Sequence, residues 1–242
     1  MKALLITLTL LLTSNIALAG DLQSKEKFLS RLLEKHVDKN ISVERSVSSL
    51  LKSYPSGEEI ILDTAFTKYP NKYKQIIRGA LHANPNYSED VIKFALEHEV
   101  ASCSQIIKTA INAEPAYADD IVLVASKLHP EDKDAIFRMA LKTKPVMASS
   151  IVNASAKKYP NDFINYIAMA FEELPERFIS LLDNAFNNFP EQSNEVVEIA
   201  VKSLDKEHVR AIINNAVKSG LSEKQATDAA IKGGADLVAL NM

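Results

Sequence analysis

All nine prolines of the chain stand in one register: Pro55, Pro70, Pro85, Pro115, Pro130, Pro145, Pro160, Pro175 and Pro190, with every interval 15 or 30 residues. Val100 is the one skipped position within that series. A fixed period is the signature of a repeat architecture and is read before any local motif. With proline as position 0, position 10 is Ala65, Ala80, Ala95, Ala110, Ala125, Ala140, Ser155, Ala170, Ala185 and Ala200. Positions 6 and 7 are mostly aliphatic, from Ile61/Leu62 to Val196/Val197, and position 11 is usually bulky, as in Phe66, Leu81 and Phe186. Position 3 is often aromatic: Tyr73, Phe163 and Phe178.

Apolar positions 3, 6, 7, 10, 11 and often 14 trace one stripe of an α-helix and do not fit the two-residue period of a strand. Proline at the first helical position gives up an N–H that would be unpaired anyway, and its φ already suits a helix. The residue before proline is pushed out of the helical region, which ends the preceding helix. The spacing therefore predicts a helix over positions 0 to 11, about 18 Å long, and a turn over positions 12 to 14. Alanine at position 10 allows close approach of helices, and the paired aliphatics fill the seam. Helices this short are marginal alone in water and must bury their stripe on neighbours. Short turns favour antiparallel neighbours. The expected fold is all-α: an α-solenoid of tandem 15-residue single-helix repeats, paired into 30-residue helical hairpins, with a right-handed course by analogy to known hairpin repeats.

The pattern decays toward both ends, as terminal repeats do. Upstream, Val47, Leu50, Leu51 and Tyr54 keep positions 7, 10, 11 and 14 of a unit starting at Asn40, and Phe28, Leu29, Leu32, Leu33 and Val37 mark one more amphipathic helix. Downstream, Asp205 and Gly220 replace proline, and Ile212, Ile213 and Ala216 fall one residue late. Ser222-Glu223-Lys224-Gln225 fits a capping box, and Gly233-Gly234 a helix end. The expected organisation is a signal peptide over 1–19, a helical cap and degenerate first repeat over 20–54, the array over 55–234 and a tail over 235–242, without a linker inside the array.

The first segment rests on its three-part layout. Lys2 gives a positive start, Ala3 to Thr13 an apolar run, and Ala17-Leu18-Ala19 small residues before Gly20, which predicts cleavage after Ala19 and an exported protein, periplasmic or secreted. The apolar run is short for a membrane span, which needs roughly 20 residues, and no second segment could span a bilayer. The net charge of −3 lacks a basic block and argues against nucleic acid as a partner. With Cys103 the one cysteine, stability comes from packing rather than disulfides, and the plain reading of that residue is a small buried apolar side chain.

No G-x-S-x-G, P-loop or dinucleotide-binding glycine pattern is present. None of His36, His82, His98, His129 and His208 makes a compact ligand pair, so no catalytic residue, cofactor or metal is expected. Glu58/Glu59, Glu89/Asp90 and Asp119/Asp120 recur about 30 residues apart. On alternate helices they could form an acidic interaction strip for a basic partner or a divalent cation, although acids also favour helix N-termini through the dipole alone. Aromatics at position 14, namely Tyr54, Tyr69, Tyr159 and Phe189, read as staples of the turn onto the next helix. Val100 and Cys103 mark the interior unit expected to be irregular.

The order Ala, four residues, Pro, five residues, Ile-Ile/Val, then Ala resembles the tandem Ala/Pro-punctuated helical repeats of uncharacterised exported bacterial proteins, over about residues 55 to 235. The resemblance implies an architecture and no activity. The function expected is a non-enzymatic exported scaffold for protein–protein interaction, with an unidentified protein partner. The alternative is an envelope-associated structural protein that binds cell-wall polymer or a membrane surface, or self-assembles. A hydrolase with its site spread over the array lacks a visible nucleophile or acid–base pair.

Overall fold

The computed structural model describes residues 23–236. The signal peptide expected over 1–19 and the tail residues 237–242 lie outside the described residues. Among the described residues the secondary structure is helical, with no strand. A first helix, α1, covers residues 23–38. It is followed by α2 (Val43–Ser53), α3 (Glu58–Lys68), α4 (Tyr73–Ala83), α5 (Ser88–Glu97), α6 (Cys103–Ala113), α7 (Ala118–Leu128), α8 (Lys133–Thr143), α9 (Ala148–Lys158), α10 (Phe163–Glu173), α11 (Phe178–Asn188), α12 (Ser193–Ser203), α13 (Val209–Lys218) and α14 (Glu223–Lys232).

The 15-residue period holds, but the helix boundaries differ from the expected ones. Proline opens a three-residue 3-10 turn at positions 0 to 2, the α-helix runs over positions 3 to 13, and position 14 alone joins one unit to the next. That residue serves both sides. The Tyr69 N–H donates to the Ala65 carbonyl at 2.9 Å, and the Tyr69 carbonyl accepts from the Lys72 N–H at 2.8 Å. Its backbone, at φ −129° and ψ 47°, is neither helical nor fully extended. Phe189 (−134°, 55°) and Lys144 (−140°, 76°) repeat it. Proline's clash with the preceding residue enforces this conformation, so one residue does the work expected of three.

Where proline is missing, the chain mostly ends its helix differently. Asn40 (φ 61°), Glu99 (49°), Gly220 (113°) and Gly234 (100°) have positive φ. Each is followed by a residue whose N–H reaches back five positions: Ile41 to His36, Val100 to Ala95, Leu221 to Ala216 and Ala235 to Ala230. This left-handed ending satisfies carbonyls that the helix leaves open. The junction before Asp205 is a third solution. Leu204 (ψ 162°) and Asp205 (ψ 147°) are both extended, the 3-10 turn starts at Lys206, and α13 starts at Val209. That extra extended residue is why the buried Ile212, Ile213 and Ala216 run one position late.

The chain divides into two compact units, one ending at Ile106 and the other beginning at Ile107. In the first, α2 packs on α3 and α4, α3 on α4 and α5, and α4 on α5. In the second, every helix from α7 to α12 packs on the next and the next but one, and α13 packs on α14. Within each unit alternate helices thus lie side by side, and positions 6, 7 and 10 supply the core: Ile76, Ile77 and Ala80 are fully buried, as are Val196, Val197 and Ala200. Backbones come close beside the alanine column. Gly79 sits one residue before it on α4, where a Cβ would lie 2.4 Å from the Glu44 carbonyl oxygen of α2.

Polar side chains repeat the same alternate-helix pairing. Arg78 donates to Glu44 at 2.8 Å, Asn215 to Asp183 at 2.6 Å, and Lys68 to Glu34. Arg138 on α8 holds both Glu172 (2.7 Å) and Glu173 (2.9 Å) on α10. Lys142 adds a 2.8 Å ion pair to Glu173. Lys142 first, and then Arg138, keep the Glu173 carboxyl below the usual carboxylate range against the opposing effect of burial.

Candidate functional site

The acidic positions lie in the first turns of α3, α5 and α7, where the helix dipole favours them. In the first unit, α3 packs on α5 and brings Glu58 to Asp90. The Glu58 Oε1 atom is shielded from solvent and receives no N–H or O–H. Burial, then the hydrogen-bonding carboxyl of Asp90, then the charge of Glu59 push the Glu58 carboxyl up to about 7. In the second unit, Asp119 is already engaged: its Oδ2 accepts from the Ser150 hydroxyl of α9 at 2.6 Å and its Oδ1 from the Asp120 N–H at 3.1 Å. Burial and the Asp119 charge raise the Asp120 carboxyl above its ordinary value. Aligned in sequence, the acids differ in chemistry: Glu58 and Asp90 form a strained acid pair, and Asp119 a satisfied acceptor. Sequence reasoning missed the direct meeting of Glu58 and Asp90, because they occupy positions 3 and 5 rather than equivalent ones.

The unit without proline at Val100 departs in geometry. Helix α5 stops at Glu97, Glu99 turns left-handed, and the Gln105 and Ile106 N–H groups donate to the Ser102 carbonyl at 2.9 and 3.1 Å as α6 begins. No 3-10 turn precedes α6. Cys103, the first residue of α6, is half-buried, more exposed than the buried apolar residue expected, because an opening helical turn is covered on one side only. His98 closes the other end of this junction. Its Nε2 lies 3.0 Å from Asp63 Oδ1, and its ring stacks on Phe66 and Phe94 at 6.0 and 6.4 Å. His82 instead faces Glu44, at 3.6 Å.

His129, Glu131 and Asp132 bring three metal-capable atoms within 4.8 Å of one another on the turn around Pro130. His129 Nδ1 lies 3.2 Å from Glu131 Oε1. A backbone hydrogen bond first, and His129 second, lower the Glu131 carboxyl. Sequence reading passed over this trio because its residues are nearly adjacent and match no ligand motif.

Three of the aromatics at position 14 meet a residue 26 positions back, on the helix before the one they end. Phe189, after α11, stacks on Phe163 at the start of α10, with centroids 4.2 Å apart. Tyr54, after α2, meets Phe28 of α1 edge-on at 5.7 Å. Tyr159, after α9, lies beneath Lys133, the first residue of α8, whose ammonium also reaches Asp162 at 2.6 Å. The recurring offset of 26 residues assigns these rings to packing. Among the described residues, no helix is long and apolar enough to cross a membrane. No family model, curated protein or solved structure matches the chain.

Proposed function

We propose that this chain is a non-enzymatic, exported helical-repeat scaffold for protein–protein interaction, its tandem repeats packed in the manner of an α-solenoid. The observation that carries the reading is the repeated packing of each helix on the next and the next but one within both units. Such packing spends positions 6, 7 and 10 on the core and leaves the rest of every helix as a recurring surface, the property by which repeat proteins engage partners. The signal-peptide layout of residues 1–19 supports export. In the second unit, a groove lined by Pro145, Glu176, Arg177 and Ile179, beside Val146 at 71% exposure, offers apolar surface with charge around it.

Photo-crosslinking groups at Val146 and Ile179, introduced into the chain in its native cell, test the interaction. One reproducible protein adduct, absent when the group is at buried Ile151, is expected. No adduct at any exposed position sinks the reading, and adducts made only of second copies replace it with self-assembly. Sequencing the exported chain is expected to find Gly20 first. An intact N-terminus would overturn cleavage after Ala19, and a chain found only in the cytoplasm would overturn export.

A further inference from the structure

We propose that Glu58 and Asp90 share one proton and form a pH-sensitive clasp between α3 and α5, closed in mildly acidic solution and loosened when the proton leaves. Glu58 opens α3, Asp90 lies in the first turn of α5, and the two helices pack together. Glu58 Oε1 is sealed from water without a donor, and its hydrogen-bonding neighbour is another carboxyl. Two carboxylates offer each other only acceptors, and an ionised buried oxygen without a donor is costly. A single proton turns the same contact into a charge-assisted O–H···O bond.

The other groups around the pair do not supply a cation. Glu59 on α3 adds negative charge, and the Tyr87 phenol, just before α5, is raised by burial and by Glu58. No cation is among the groups that move the Glu58 carboxyl, and several cations on the packed elements have other partners. Lys25 of α1 donates to the Ser56 carbonyl, and Lys68 of α3 to Glu34. On α4, Arg78 and His82 face Glu44 and Lys74 lies over the Tyr73 ring. Lys93 of α5 pairs with Glu97, and His98 with Asp63.

The direction of the pH effect follows. The Glu58 carboxyl titrates near 7 in the folded chain against 4.5 as a free side chain. Between those values the folded form holds a proton that the unfolded form has lost. The stability contributed by the clasp is full below 4.5, falls as pH rises and is gone above about 7.

The test uses the full chain. Carbon-detected titration of glutamate carboxyls should show Glu58 titrating near neutrality. Amide hydrogen exchange, corrected for intrinsic rate, should show protection in α3 and α5 falling roughly tenfold between about pH 5.5 and pH 8. Helices α8 to α12 serve as the internal control and should change less. Glu58→Gln, whose amide N–H donates to Asp90 and does not titrate, should keep the protected state at both pH values. A Glu58 resonance titrating below about 5, or α3 and α5 protection unchanged with pH, overturns the clasp. So does a folded Glu58→Gln chain that retains the full pH dependence. If Glu58→Gln does not fold, the carboxyl titration of the unmodified chain decides alone.

Discussion

The junction at Tyr69-Pro70 and the junction at Glu99-Val100 stand at the same place in the repeat and end a helix by opposite means. At Tyr69, proline forbids the helix to continue and holds one residue at φ −129°. At Glu99, nothing forbids continuation. The chain instead turns left-handed at φ 49° and is held by the hydrogen bond from Val100 to Ala95. The first device is steric and is written into the residue that follows. The second depends on hydrogen bonds and on a conformation that L-residues adopt reluctantly. Proline junctions preserve the 15-residue period without further support, whereas left-handed ones need a tolerant residue, which Asn40, Gly220 and Gly234 are and Glu99 is not.

The largest expected effect comes from forcing one device onto the other. Val100→Pro removes the N–H that bonds Ala95 and drives Glu99 out of its left-handed conformation. Urea unfolding should show a loss of about 3 kcal/mol in the first unit, and a neutral result would mean the two junctions are interchangeable. Gly220→Ala comes next. A Cβ there meets no atom within 4 Å, so the expected loss of about 1–2 kcal/mol reports backbone strain alone. Glu99→Gly should act in the other direction, stabilising the first unit by about 1 kcal/mol, because glycine adopts positive φ without penalty. A destabilised Glu99→Gly chain would show that the Glu99 side chain matters more than its backbone. The smallest effect is Pro130→Ala. It leaves the fold intact and costs about 0.5 kcal/mol, mainly through greater freedom of the unfolded chain; a loss of several kcal/mol would show proline holding tertiary packing as well.

These junctions also show what the sequence could and could not convey. The helical period, the buried columns at positions 6, 7 and 10, the capping box at Ser222 and the irregular unit at Val100 were all legible, because each follows from residue type and spacing. The capping box forms in both directions, between Ser222 and Gln225. The helix ends were not legible. Position 12 faces solvent and position 13 varies between exposed and half-buried, with residues as different as Lys68, Ala113, Leu128 and Glu173, so no apolar period marks them as helical, and proline at the first position suits a 3-10 turn as well as an α-turn. The aromatics of position 14 were recognisable as packing residues, but not the direction in which they fold. The meeting of Glu58 and Asp90 was hidden for a different reason. It depends on which acid of each neighbouring pair faces the adjacent helix, and both members of a pair are equally acidic in a string of letters.

The single-residue joint has an evolutionary consequence. A joint whose one carbonyl and one N–H are committed to the helices on either side has no slack in which to hide an inserted or deleted residue. A change of one would rotate every later helix by about 100° and turn its core stripe toward water. Lineages carrying such a chain gain or lose length most safely in whole periods, by duplication or loss of complete units, unless the joint itself is rebuilt. The Leu204-Asp205 joint, with two extended residues in place of one, is the exception that absorbs a one-residue slip, and Ile212, Ile213 and Ala216 stay buried after it.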